Sequence, residues 1–193
     1  MKRENRTGKD DSQTLTFIAV ELDGNFGIIE TCYITGVKRC PRIVPVPYAP
    51  PFLLGVVKLD GGILPVVSIS CFFDREPGPL TPESRILMLS QHLNGGECRG
   101  LFVDRVLRVV NIPASKIRLL SRSERKGPCI FVRGIVSSKD FATLEGIPAP
   151  GTAIRTLRWI DLNAIFNGMK GAGQPGISCT HLLCRTDSRT EEP

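Results

Sequence analysis

The chain has 193 residues, 41% of them hydrophobic, and a formal net charge of +6. That apolar share can bury a core and excludes wholesale disorder. No apolar run approaches the length of a membrane-spanning helix. Residues 1–13 hold four cations against three carboxylates, and residues 169–193 three against three, so the excess positive charge belongs to the part between them. A surplus of this kind is ordinary solubility charge, or the footprint of an acidic partner.

In chain order, residues 1–13 are polar and read as a disordered N-terminus. Three turn signals then separate β-branched runs. Leu15–Leu22 and Phe26–Ile34 flank Asp23-Gly24-Asn25 and predict a first hairpin, because Asp-Gly favours the positive φ of a tight turn. A proline-rich connection runs from Cys40 to Pro51, where helix is excluded and extended backbone favoured. Ile43, Val44 and Val46 demand that it be anchored. Val56 and Val57 lead to Asp60-Gly61, and Ile63–Ile69 return as the second hairpin. Pro65 lies in the returning strand and lacks an N–H, so an edge or a bulge is expected there. Arg75–Glu83 is a loop. The third hairpin runs from Ile86 to about Val110 around Asn94-Gly95-Gly96. Ile112–Ile117 is a short turn, Ser121–Pro128 a charged loop, Cys129–Ser137 a strand and Ala153–Ile160 the last strand. Asp161 caps a short helix, Leu162–Phe166, stopped by Gly168. A mobile tail is expected from residue 169 to 193. Nineteen glycines and fifteen prolines suit this many turns. The run from Gly55 through Val67-Ser68-Ile69 is echoed by the run from Gly134 through Ile160-Asp161-Leu162, which suggests two similar small barrels.

Catalytic chemistry is scarce. Two histidines occur, His92 beside a predicted turn and His181 in the tail. No nucleophile elbow, phosphate-binding glycine loop, dinucleotide fingerprint or zinc-protease motif is present. Cys179, His181 and Cys184 are the compact set of soft ligands, but structural zinc wants four at tight spacing. No metal, no cofactor and no enzymatic activity are expected. Seven cysteines without an apolar leader point to a reducing cytoplasm with free thiols. Cys32, Cys71, Cys98 and Cys129 fall in or beside predicted strands, where the thiol packs as a small hydrophobe. The alternative function is a basic small barrel that binds single-stranded nucleic acid. It lacks the aromatic platforms such sites use, with one Trp, two Tyr and none in the basic stretch Arg118–Lys126.

Four stretches carry a resemblance. Pro47-Tyr48-Ala49-Pro50 and Gly55-Val56-Val57-Lys58-Leu59-Asp60-Gly61 with Ile63-Leu64-Pro65-Val66-Val67 resemble the signature of the CheW-like domain of chemotaxis adaptors and kinases. Gly100-Leu101-Phe102-Val103-Asp104-Arg105-Val106 with Val109, Val110 and Ile112 is similar to a second family stretch, as are Gly134-Ile135 and Ile160-Asp161-Leu162 to its closing strands. The resemblance covers about residues 14–168. It implies an all-β fold of two five-stranded SH3-like barrels packed together, with short helical turns. It also implies a stand-alone adaptor at membrane-associated receptor arrays, joining the cytoplasmic tip of a chemoreceptor to the regulatory domain of a histidine kinase, with receptor helices in the groove between barrels. The implied partner-binding residues are Ile34, Val37, Val56, Leu59, Val103 and Val106, edged by Thr35, Asp60 and Asp104. Strand alternation requires some of these to face inward, Val103 first among them. Three positions depart from the family pattern. Asp60 replaces an arginine, Ser68 an aspartate and Thr35 an acidic residue.

Overall fold

The computed structural model of the chain describes residues 13–59, 61–73, 75–93, 99–137 and 156–171. Residues 1–12 of the predicted disordered N-terminus, nearly all of the tail, Cys98, Cys179, His181, Cys184 and Asp60 lie outside them. β1 (Thr14–Leu22) and β2 (Asn25–Glu30) form the first hairpin, pairing Leu22 with Asn25 across a two-residue turn. Asp23 and Gly24 both have positive φ, 50° and 69°, which is the type I′ turn that Asp-Gly predicts. β2 stops at Glu30, not Ile34. A 3-10 turn over Thr31–Tyr33 hands the chain to β3 (Ile34–Arg39) in a different sheet.

The remaining strands are β4 (Leu53–Leu59), β5 (Gly62–Val67), β6 (Arg85–Leu89), β7 (Gly100–Val103), β8 (Arg105–Pro113), β9 (Ile117–Leu119), β10 (Val132–Ser137) and β11 (Thr156–Ile160), followed by one helix, α1 (Leu162–Gly171). They build a six-stranded sheet, β8-β1-β2-β11-β10-β9, and a five-stranded sheet, β3-β6-β7-β5-β4. The predicted third hairpin is therefore cut at Asp104. β7 pairs antiparallel with β6 in one sheet, and β8 pairs with β1 in the other.

The two sheets follow one plan. Each has an antiparallel hairpin, β1-β2 or β6-β7, whose second strand runs parallel to the end of another antiparallel pair, β11-β10 or β5-β4. Both of those pairs carry a bulge just before a glycine, at Leu53/Gly55 and at Val132/Gly134. The bulge bends each strand so that a further segment can approach the glycine. Beside Gly134 that segment is β9. Beside Gly55 it is the proline-rich connection, reduced to a single bridge in which Val44 and Val56 exchange both backbone bonds at 2.8 and 2.9 Å. Prolines 41, 45 and 47 supply no N–H, which is why no strand extends from Val44.

The strands are apolar on both faces because three cores exist. Phe17, Ala19, Ile28, Val110, Ile112, Val136, Leu157 and Trp159 fill the first sheet's own core. Val57, Leu64, Val66, Ile86 and Phe102 fill the second's. The largest core lies between them and takes the alternate residues of both sheets: Ile18, Val20 and Ile29 from one, Val67, Leu87, Leu101 and Val103 from the other. α1 adds Leu162, Ile165, Phe166 and Met169 to it. The helix continues through Gly168, the predicted stop, because Met169 is buried in this core and the favourable contact exceeds the roughly 1 kcal/mol cost of a helical glycine. Asp161 caps it as expected, its Oδ1 accepting the N–H of Ala164 at 3.0 Å.

Pro65 is not on an edge, since β5 lies between β7 and β4. It is tolerated for a local reason. Its partner Val56 directs both backbone groups outward to Val44, so no ladder bond faces Pro65, and β7 reaches only Val66 and Val67. Cys129 also departs from expectation. Gly127–Phe131 is a 3-10 turn, and both Cys32 and Cys129 are exposed thiols rather than packed ones.

Candidate docking edges

The sequence-derived contact residues fall into three groups. On β3, the outer strand of the second sheet, Ile34 is half-buried against the central core, whereas Thr35 and Val37 are exposed. A bulge at Thr35 swings its hydroxyl back, and Oγ1 donates to the Met88 carbonyl at 3.2 Å. On β4, at the opposite margin of the same sheet, Val56 and Leu59 are half-buried, and Leu59 packs against the second sheet's core. Gly61 carries the turn with φ 82°. The third group surrounds the crossing between sheets. Val103 is 0% exposed and belongs to the central core, so it is not a contact residue. Its alternation partners face the second core, and the side chain is shut between the sheets. Val106 is half-buried, opposite Val20 and against the same core.

Asp104 joins the halves. Its Oδ2 accepts the backbone N–H of Asp23 in the first hairpin turn. The Asp23 carboxylate in turn accepts the Gly78 N–H at 3.1 Å, and Arg75 donates to the Asp23 carbonyl at 3.1 Å. Arg105 holds Glu21 at 2.7 Å. The loop after β5 and the residue at which the chain changes sheets are thus both bonded to Asp23 in the β1-β2 turn. Burial pushes the Asp104 carboxyl above the usual carboxylate range. The Asp23 N–H opposes this, and the charges of Asp23 and Glu21 add to the rise. A folded-state pKa above the unfolded one means the native state keeps the proton longer, so this group's contribution to stability falls as pH rises through the folded value. Asp104→Asn, which keeps an acceptor for Asp23, is expected to be at least as stable as the parent at pH 7 and to flatten the decline between mildly acidic and neutral pH. Urea midpoints at the two pH values check this, and a loss of stability at pH 7 refutes it.

Ser68, one of the departures, is 1% exposed. Its Oγ accepts the Ser70 N–H at 3.2 Å and donates to Ser70 Oγ at 2.9 Å. It initiates the 3-10 turn Ser70–Phe73 after β5, as Asp161 initiates α1 after β11. A residue that starts a turn from a buried position serves the fold. Tyr48 belongs to the Pro47-Tyr48-Ala49-Pro50 stretch. It is fully exposed and sits at φ 57° in a turn closed by the Ala49 N–H on the Val46 carbonyl at 3.3 Å. Pro47 in the second turn position was the signal, since it sets up a turn whose third residue needs positive φ. Ile63, 77% exposed, lies next to the β4-β5 turn.

A cavity of about 310 Å³ opens along the junction of the sheets, walled by Leu22, Phe26, Ile69, Phe73 and Ile160, with Arg75 and Arg158 at it. Trp159 is buried under the Arg133 guanidinium, 4.7 Å from its ring centre, and offers no stacking face to a base. Among the described residues no group of three or more His, Cys, Asp or Glu side chains is positioned to hold a metal ion, and no helix is long and apolar enough to cross a membrane.

Two interlocked sheets with a shared core define an all-β, two-sheet body, and its outer strands β3, β4 and β8 carry Ile34, Thr35, Val37, Val56, Leu59 and Val106. The CheW-like domain model matches residues 16–168, and the chain belongs to that family. This is a family of non-enzymatic scaffold and adaptor domains of chemotaxis signalling. Among solved structures, the chain is similar to the scaffolding protein TtCheW from Thermoanaerobacter tengcongensis, at 20% identity and TM-score 0.58, over 82% of this chain and 90% of that one. At that identity the likeness concerns the fold. No curated protein matches the chain.

Proposed function

We propose that this chain is an adaptor that couples a chemoreceptor tip to a histidine kinase. The observation that carries the proposal is the family match across residues 16–168. A bridging role also needs two separate surfaces, and the sequence-derived residues sit at opposite margins of one sheet, Ile34, Thr35 and Val37 on β3 and Val56 and Leu59 on β4. The receptor helices lie along the junction of the sheets, edged by β3 and Val106, and the kinase regulatory domain takes the β4-β5 margin. A shared central core keeps the two margins at a fixed separation, which is what a scaffold must do.

The tests are co-sedimentation with receptor signalling fragments and capture of the kinase regulatory domain. Asp60→Arg is expected to strengthen co-sedimentation by roughly tenfold, because a carboxylate at this turn repels the carboxylate that the family's arginine attracts. An unchanged result with a folded variant makes Asp60 a turn residue only. Failure of the folded parent to engage either partner refutes the adaptor role.

A further inference from the structure

β3 is bonded to β6 alone, so half of its backbone N–H and C=O groups point away from the sheet. From Thr31 to Leu59 the chain contains Lys38, Arg39, Arg42 and Lys58 and no carboxylate. The β3-β6 register sets Arg39 directly opposite Arg85. Directly opposed residues share a face at a Cβ separation of about 5 Å, and like charges there are destabilising. Neither arginine forms an ion pair with a described carboxylate. Arg85 donates to the carbonyls of Pro82 and Ser84, at 2.8 and 2.9 Å, and Arg39 makes none of the ion pairs found among the described residues. Val37, two residues before Arg39 and so on the same face, is 42% exposed. Cations often guard a strand edge against aggregation. A single exposed cation achieves that without two facing guanidiniums or an uncovered valine.

We propose that the outer edge of β3 receives an extended acidic segment of a partner protein, added as a further strand. Its backbone pairs with the outward groups of β3. A carboxylate meets Arg39 and Arg85, and an apolar side chain two residues away covers Val37. The recognised pattern is carboxylate, any residue, apolar residue, read along an extended chain. This inference goes beyond the adaptor reading, because the added strand is a further contact on the outer backbone edge of β3 and not the receptor helices at the sheet junction, and it rests on β3 being a docking margin.

The test needs neither receptor nor kinase. A fluorescein-labelled peptide, Ser-Glu-Thr-Val-Thr-Glu-Ser, is titrated into the full chain and followed by anisotropy. The same peptide with Lys for Glu serves as control. Binding of the acidic peptide is expected to weaken several-fold between 50 and 300 mM salt, and at least tenfold in Arg39→Glu. Bound peptide should slow amide exchange within Ile34–Arg39. Arg39→Glu should itself melt no lower than the parent, because it removes the Arg39–Arg85 repulsion. Equal binding of the two peptides, unaltered binding to Arg39→Glu, or slowed exchange confined to another element overturns the inference. Any of these, with receptor co-sedimentation intact, leaves the adaptor reading standing. Loss of co-sedimentation with peptide binding intact does the reverse.

Discussion

Phe166→Ala is expected to lower the free energy of unfolding by about 3–5 kcal/mol, the range for truncating a fully buried aromatic ring. Phe166 is 1% exposed on α1 and sits in the core that both sheets share, with Leu162, Ile165 and Met169 beside it. The Arg99 guanidinium, 6.0 Å from the ring centre, adds little to that figure. Because the central core takes residues from both sheets, the destabilisation should appear as one shifted transition with an unchanged denaturant slope. Two transitions, of which only one moves, would mean that the sheets fold as separate units. A loss below about 1 kcal/mol would mean that α1 is dispensable to the core.

Gly55→Ala carries the second large effect. Gly55 has φ 145°, which L residues rarely adopt, and an added Cβ would stand 2.2 Å from the Val44 carbonyl oxygen and 2.8 Å from Ile43 Cγ2. The nearest of these is a backbone oxygen, so relief requires the proline-rich segment to lift off β4. Strain and overpacking together are expected to cost about 3 kcal/mol or more. Amide exchange should quicken at Val44 and Val56, whose mutual bonds close that segment, while β1 and β8 keep their protection. Slow exchange at Val44 in a variant of parental stability would refute the close approach as the reason for glycine.

Much of the strand content was legible because its signals act over a few residues. Asp23-Gly24 specifies its own turn through two positive φ values, and Asp161 caps its helix within three residues. The echo between Gly55 and Gly134 was also real. Both mark a bulge where a neighbouring backbone comes close. What failed depended on contacts beyond the local segment or on segments too short to show a pattern. Ile34 was attached to the first hairpin and Val110 to the third because the apolar runs continue past Glu30 and Val103. A run buried on two faces does not reveal where it leaves one sheet for another. Gly168 was expected to end the helix, but Met169 has a buried site one residue beyond. The short β9 carries too few residues for a period to register.

The candidate site divides in the same way. Thr35 and Val37 are exposed and Val56 and Leu59 half-buried, at strand margins where an alternating pattern would set them. Val103 carries the same residue type in the same kind of run and is sealed. Ser68, which departs from the family pattern, is a buried turn initiator.

The amino-acid order alone determined that this is a chain of strands and tight turns, because β-branching, proline and Asp-Gly restrict the backbone locally. The tertiary structure alone decided which strand joins which sheet, which valines lie in the shared core, and that β3 keeps an open, arginine-opposed margin. Those outcomes depend on pairing between segments far apart in the chain, and no local preference encodes the partner.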